Sequence, residues 1–159
     1  MSPKPEAQGS SLPTKVVVGT DGSPTATVAL ERAAALVKVL GASLRVVCAY
    51  RDPSRGEGPW PGAAPVDAAS VARAAAAAQQ TADRGVELAR SLGLQEVDGR
   101  AVQGDPAEAL LEEAEAWGAQ LIVVGSRGMR SAARFLLGSV PNRVTHHASC
   151  DVLVVHTSR

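Results

Sequence analysis

KVVVGTDGSPTATVALERAAALVKVLGASLRVVCAY, residues 15–50, holds two β-rich apolar runs with one helix-like run between them. Lys15 to Thr20 is a short β-branched run bounded by Gly19 and Gly22, the pattern of a strand buried on both faces. Ser23 is placed to cap a following helix and Pro24 suits its first turn. Ala29, Ala33, Leu36, Val37 and Leu40 then recur at helical spacing until Gly41. Ser43 to Tyr50 reads as a second strand, so the stretch is a strand, a crossover helix and a strand.

Working outward, residues 51–65 carry four prolines and three glycines and read as a mobile loop. Asp67 to Leu92 is Ala-rich helix ending at Gly93. Glu96 to Val102 is a weaker strand, interrupted by Gly99. Asp105, Pro106 and Glu108 then supply an N-cap, a first-turn proline and a capping-box glutamate for a helix that runs to Trp117 and stops at Gly118. Gln120 to Val124 is the fourth strand, Ser139 to His147 the fourth helix and Val152 to His156 the last strand. Five apolar strands alternating with four helices predict an α/β fold: a five-stranded parallel sheet, doubly wound, with helices on both faces. Ligands of such sheets bind beyond the carboxyl ends of the strands, where strand order reverses. The expected organisation is a flexible tail over 1–14 and one domain over 15–159, with the mobile loop at 51–66.

Composition excludes several function classes. With 159 residues and 45% hydrophobic positions the chain suits one domain with a substantial core. Sixteen basic and sixteen acidic residues cancel, so no overall field draws it to nucleic acid or an anionic membrane. No apolar run approaches membrane-spanning length, and the N-terminal MSPKPEAQGSSLPTK lacks the apolar segment of an export signal, so a cytoplasmic address is expected. Cys48 and Cys150 lie in strand-like sequence without metal-ligand spacing and read as buried thiols rather than a disulfide.

The chemistry concentrates in GSRGMRSAARFLLGSV, residues 125–140. Gly125 and Gly128 are separated by two residues, and Gly138 and Ser139 follow after nine more. Glycines at a strand-to-helix turn let backbone N–H groups approach phosphate oxygens, and Ser139 and Val140 fall at a helix N-terminus that favours an anion. Ser126 and Ser139 offer hydroxyls, which also serve as turn and cap groups, and Arg127 offers a guanidinium suited to phosphate. Arg130 and Arg134 read instead as a solvated helical face. His146, His147 and His156 suggest no third ligand by spacing and read as cations near a helix end rather than a metal site.

On these residues the chain resembles the universal stress protein family, in particular its ATP-binding branch, which carries the same glycine spacing. The resemblance runs from about Lys15 to Val155 through KVVVGTDGS, VQGDPAEALLEEAE, LIVVGSRG and LLGSVPNRVTHHASCDVLVV. It implies an adenine nucleotide alpha hydrolase-like sheet of strand order 3-2-1-4-5. It also implies that Gly19, Thr20 and Asp21 line the nucleotide pocket, with Asp21 near the ribose or a phosphate-bound Mg²⁺. Ala49 and Val124 fall at further pocket positions, Ala49 contacting adenine through its backbone. From the residues alone, an Asp at the carboxyl end of strand one faces the same crevice, and the alternative is an Asx-turn residue that shapes Thr20 to Ser23.

No Gly-x-x-x-x-Gly-Lys-Ser/Thr, no Gly-x-Gly-x-x-Gly after strand one and no Gly-x-Ser-x-Gly elbow occurs. The expected function is therefore an ATP-binding stress-response or signalling module with little or no catalysis. The alternatives are a slow ATPase or autophosphorylating enzyme, and a dimeric interaction module binding AMP or cyclic AMP. The terminal strand at 152–156 has an edge to cover, and strand-to-strand homodimerisation, usual in the family, covers it. Neither nucleic acid nor membrane is an expected partner.

Overall fold

Val16, Val17 and Val18 are each 0% exposed, which puts this run at the centre of a sheet with a covered face on either side. The structure, a computed structural model, describes residues 11–52, 67–127 and 137–157. The elements are β1 (Lys15–Gly19), α1 (Pro24–Leu40), β2 (Ser43–Tyr50), α2 (Ala68–Ser91), β3 (Val97–Gln103), α3 (Pro106–Trp117), β4 (Leu121–Gly125), α4 (Ser139–His147) and β5 (Asp151–Val155). Most of the predicted 51–66 loop and of the N-terminal tail lies outside the described residues.

The five strands are parallel and ordered β3-β2-β1-β4-β5. Alternation along β1 sorts the core into two layers. Val16 and Val18 pack with Ala29, Leu30, Ala33 and Val37 of α1 and with Val86 and Ala89 of α2. Val17 packs on the other face with Ala107, Leu110 and Ala114 of α3 and Val144 of α4. Each fully buried valine stabilises the fold by about 1.5–3 kcal/mol relative to an exposed one, so the three central valines alone set the sheet's place between the helix pairs.

The helices start and stop where the sequence predicts, within a residue or two. Ser23 Oγ accepts from the Ala26 N–H at 3.2 Å ahead of Pro24, and Gly41 ends α1 in the left-handed region at φ 65°. Asp67 caps α2 by accepting from Ser70 N–H at 2.9 Å. Asp105 caps α3, accepting from Ala107 N–H at 3.1 Å, but the capping-box role expected of Glu108 goes elsewhere: its carboxylate accepts from Arg143 at 3.0 Å. Gly99, which seemed only to weaken β3, is needed for close approach. A Cβ there would stand 2.9 Å from Val86 Cγ2 and 3.2 Å from the Ala82 backbone, so α2 sits directly on the strand. Thr14 is tied to the sheet, its carbonyl accepting from Ser43 N–H and its own N–H donating to Gln120.

Candidate functional site

Strand order reverses between β1 and β4, so the turns that leave these two strands diverge and open a crevice at the carboxyl edge. After β1, Thr20 N–H donates to the Val47 carbonyl at 2.9 Å, which ties the turn to β2. Thr20 Oγ1 accepts from Gly22 N–H at 3.1 Å and Asp21 Oδ1 accepts from Ser23 N–H at 2.9 Å. The Asx turn weighed for Asp21 is thus formed, and the side chain remains exposed at the crevice. Gly19 lies under α3, where a Cβ would meet Leu110 Cδ1 at 2.9 Å.

After β4 the chain is pinned from two sides. Ser126 N–H donates to the Val155 carbonyl at 2.8 Å, and Gly138 N–H donates to the Ser126 carbonyl at 2.9 Å. The Ser126 hydroxyl accepts from Thr157 N–H at 3.2 Å and lies 3.3 Å from Thr157 Oγ1. Gly138, and not Ser139, is the N-cap of α4; it has φ −58° and ψ 165° and provides no side-chain cap bond. Ser139 and Val140 are the first two helical residues, and Pro141 behind them has no N–H, so the first turn presents two backbone donors. A Cβ on Gly138 would lie 3.5 Å from Pro141 Cδ, 3.5 Å from the Ser126 carbonyl oxygen and 3.7 Å from Arg127 Cα. A side chain at position 138 would therefore pack at ordinary contact distance between the post-β4 turn and the start of α4.

The structure gathers Gly19, Thr20, Asp21, Gly125, Ser126, Arg127, Gly138, Ser139 and Val140 at the carboxyl edges of β1 and β4, with Ala49 near the end of β2 beside them. Val124 is buried in the layer under α3 and α4. Gly128 lies outside the described residues, as do Arg130 and Arg134. Among the described residues no three His, Cys, Asp or Glu side chains cluster as a metal site. Burial pushes the Cys48 thiol up, and the Asp21 carboxylate adds to the shift against an opposing Arg84. Cys150, expected to be buried, is only half-buried because it lies just before the edge strand β5; the burial it does have raises its thiol, with Asp151 contributing.

Two contacts beside the crevice are not signalled by the sequence, although Asp105 itself reads as an N-cap. Thr157, buried just beyond β5, holds Ser126 in place. Asp105 receives Arg143 of α4 at 2.6 Å and Arg51 at 3.1 Å. At the opposite, amino half of the sheet, Arg45 forms a third unmotivated cluster. Its guanidinium pairs bidentately with Asp98 at 2.7 Å, pairs with Glu113 at 2.8 Å, and stacks 4.2 Å from the Trp117 ring centre. The hydrogen bonds that Arg45 donates to Asp98, with the two carboxylate charges, raise its pKa against the burial that lowers it.

A doubly wound parallel sheet of order 3-2-1-4-5 with an open crevice at its reversal point is an α/β nucleotide-binding fold. The chain belongs to the universal stress protein family, whose sequence pattern matches residues 13–156. The universal stress protein Rv1636 of Mycobacterium tuberculosis is 34% identical over 143 residues, 90% of this chain and 96% of that one. The crystal structure of a universal stress protein in complex with cAMP is 34% identical, with a TM-score of 0.70 over 92% of this chain and 99% of that one. UspA from Lactobacillus plantarum shares the fold at 24% identity, with a TM-score of 0.75 over 89% of this chain and 97% of that one.

Proposed function

We propose that this chain is an ATP-binding universal stress protein, a nucleotide-dependent stress-response or signalling module with little or no catalysis. The observation that carries the reading is the cradle at Gly138: a helix start with no side-chain cap, facing the Gly125–Arg127 turn across a gap that one Cβ would fill. An anion is the natural occupant of such a gap, because backbone donors and the helix dipole act on it together. Gly125, Ser126, Arg127, Gly128, Gly138, Ser139 and Val140 hold the phosphates in this reading. Gly19, Thr20, Asp21 and Ala49 surround the nucleoside, and Val124, whose side chain is buried under α3 and α4, has only its backbone to offer. Backbone groups dominate the contacts, since the Ser126 hydroxyl already has Thr157 as a partner. Asp21, exposed after β1, touches Mg²⁺ only indirectly in this reading, through the phosphates.

A second reading, AMP or cyclic AMP as the resident nucleotide, is favoured by the 34% identical universal stress protein in complex with cAMP. The same donors serve one phosphate or three. In both readings the chain acts in the cytoplasm, and β5, which among the described residues pairs with β4 alone, forms the homodimer contact through residues 152–156. Protein purified without added nucleotide, denatured and chromatographed separates the readings. Co-purified ATP supports the first and AMP or cyclic AMP the second, while ADP accumulating with time and Mg²⁺ points to slow hydrolysis. Absence of any nucleotide together with no calorimetric ATP binding refutes the assignment.

A further inference from the structure

We infer that Asp105 is a positioning residue for the phosphate-facing helix α4, acting through Arg143; the inference rests on the nucleotide reading of that helix. Helix α4 has nine residues and no side-chain cap, so its direction comes from tertiary contacts rather than from its own propensity. Pro141 and Val144 bury its inner face. Among the described residues, two polar ties hold it near the site. One is Gly138 N–H donating to the Ser126 carbonyl at 2.9 Å. The other is Arg143, one turn beyond Ser139 on the same face, which spans two carboxylates of α3: Nη1 to Asp105 at 2.6 Å and Nη2 to Glu108 at 3.0 Å.

Asp105 suits the role because it is itself immobilised. It caps α3 through Ala107 N–H, precedes Pro106 and also accepts from Arg51 at 3.1 Å. The start of α3 and the body of α4 are thereby tied to each other by a guanidinium. Rotation of α4 about its axis swings the Ser139 and Val140 N–H groups, and the Arg143 tie opposes that rotation.

Charge alone gives the opposite sign, which makes the proposal testable. A carboxylate near bound phosphates repels them, so Asp105→Asn strengthens ATP binding if Asp105 acts only through its field. Asparagine caps helices as well as aspartate does, so α3 keeps its start in this variant. If Asp105 positions α4, calorimetry gives about fivefold weaker ATP binding in Asp105→Asn, the usual scale of coupling within an ionic network. Adenosine, which lacks phosphates, binds with unchanged affinity. Arg143→Gln weakens ATP similarly, and the double variant is no weaker than Arg143→Gln alone. Without ligand, α4 amides of Asp105→Asn exchange hydrogen faster than wild type while α1 amides do not change. Equal or tighter ATP binding in Asp105→Asn, an equal loss for adenosine, or unchanged α4 exchange overturns the proposal. Wild-type protein that binds no ATP refutes the nucleotide reading instead, and the exchange of α4 then decides the positioning role by itself.

Discussion

Replacing Gly138 by valine separates ligand binding from folding, because the structure predicts a large effect on one and little on the other. The backbone at Gly138, φ −58° and ψ 165°, is extended and open to a β-branched residue. A new Cβ would meet Pro141, the Ser126 carbonyl and Arg127 at 3.5–3.7 Å, ordinary van der Waals distances. Losing glycine from the unfolded chain stabilises by about 0.4–1 kcal/mol. Losing it from an N-cap costs roughly the same, so stability should move by under about 1 kcal/mol. For the ligand the balance differs. The branched carbons fill the gap between the Gly125–Arg127 turn and the first turn of α4, denying phosphate the Ser139 and Val140 donors. Two hydrogen bonds to a charged group, at about 1.5 kcal/mol each, sum to about 3 kcal/mol, on the order of a hundredfold in Kd. The control is Gly99→Ala, whose Cβ collides with Val86 at 2.9 Å far from the crevice. It should lower stability by about 1–3 kcal/mol and leave the ATP affinity of the folded protein alone. Calorimetric titration with ATP and thermal unfolding of both variants provide the comparison. A Gly138→Val protein that melts normally and binds ATP as wild type does refutes the cradle.

Other outcomes follow from the same geometry. Arg45→Met strands Glu113, whose side chain is 15% exposed and whose other cation, Arg100, stands 3.8 Å away. Urea unfolding should show a loss of about 2–3 kcal/mol, below the usual cost of a fully buried pair because Asp98 is 52% exposed and can rehydrate. A loss under about 0.5 kcal/mol would mean that the cluster is only a surface network. The folded Cys48 thiol holds its proton above the ordinary value of 9.0, so its contribution is complete below that pH and fades as pH rises through the folded value. Relative to Cys48→Ala, wild-type stability should therefore fall as pH rises above about 9, and parallel curves would contradict the buried-thiol account. If β5 is the dimer edge, light scattering should give twice 16.3 kDa, about 33 kDa. A mass near 16.3 kDa at all concentrations contradicts that contact.

The fold was legible because its signals are local. Val16 to Val18, the Ser23-Pro24 start and the Gly41 stop lie within one βα unit, and each is explained by backbone sterics or capping. The glycines at 125 and 138 were legible as a pattern, although which residue caps α4 was not: Ser139 looked like the cap, and the backbone enters the helix one residue earlier at Gly138. What stayed hidden joins residues far apart in the chain. Arg45 read as part of a buried apolar strand, and its partners Asp98 and Glu113 lie 53 and 68 residues away with no periodic relation to it. Thr157 lay just past the last strand, and its hold on Ser126 exists only because β5 pairs with β4. Glu108 had the spacing of a capping box, but a charged partner on α4 outcompeted the backbone N–H.

The most direct test of a nucleotide in the β1–β4 crevice is an amide NMR titration with ATP. The account predicts the largest shifts at Gly125, Ser126, Arg127, Ser139 and Val140, with smaller ones at Thr20, Asp21 and Ala49. Shifts confined to the other edge of the sheet, around Lys15, Gln95 and Trp117 where a separate cavity opens, would contradict it, as would no shifts at all.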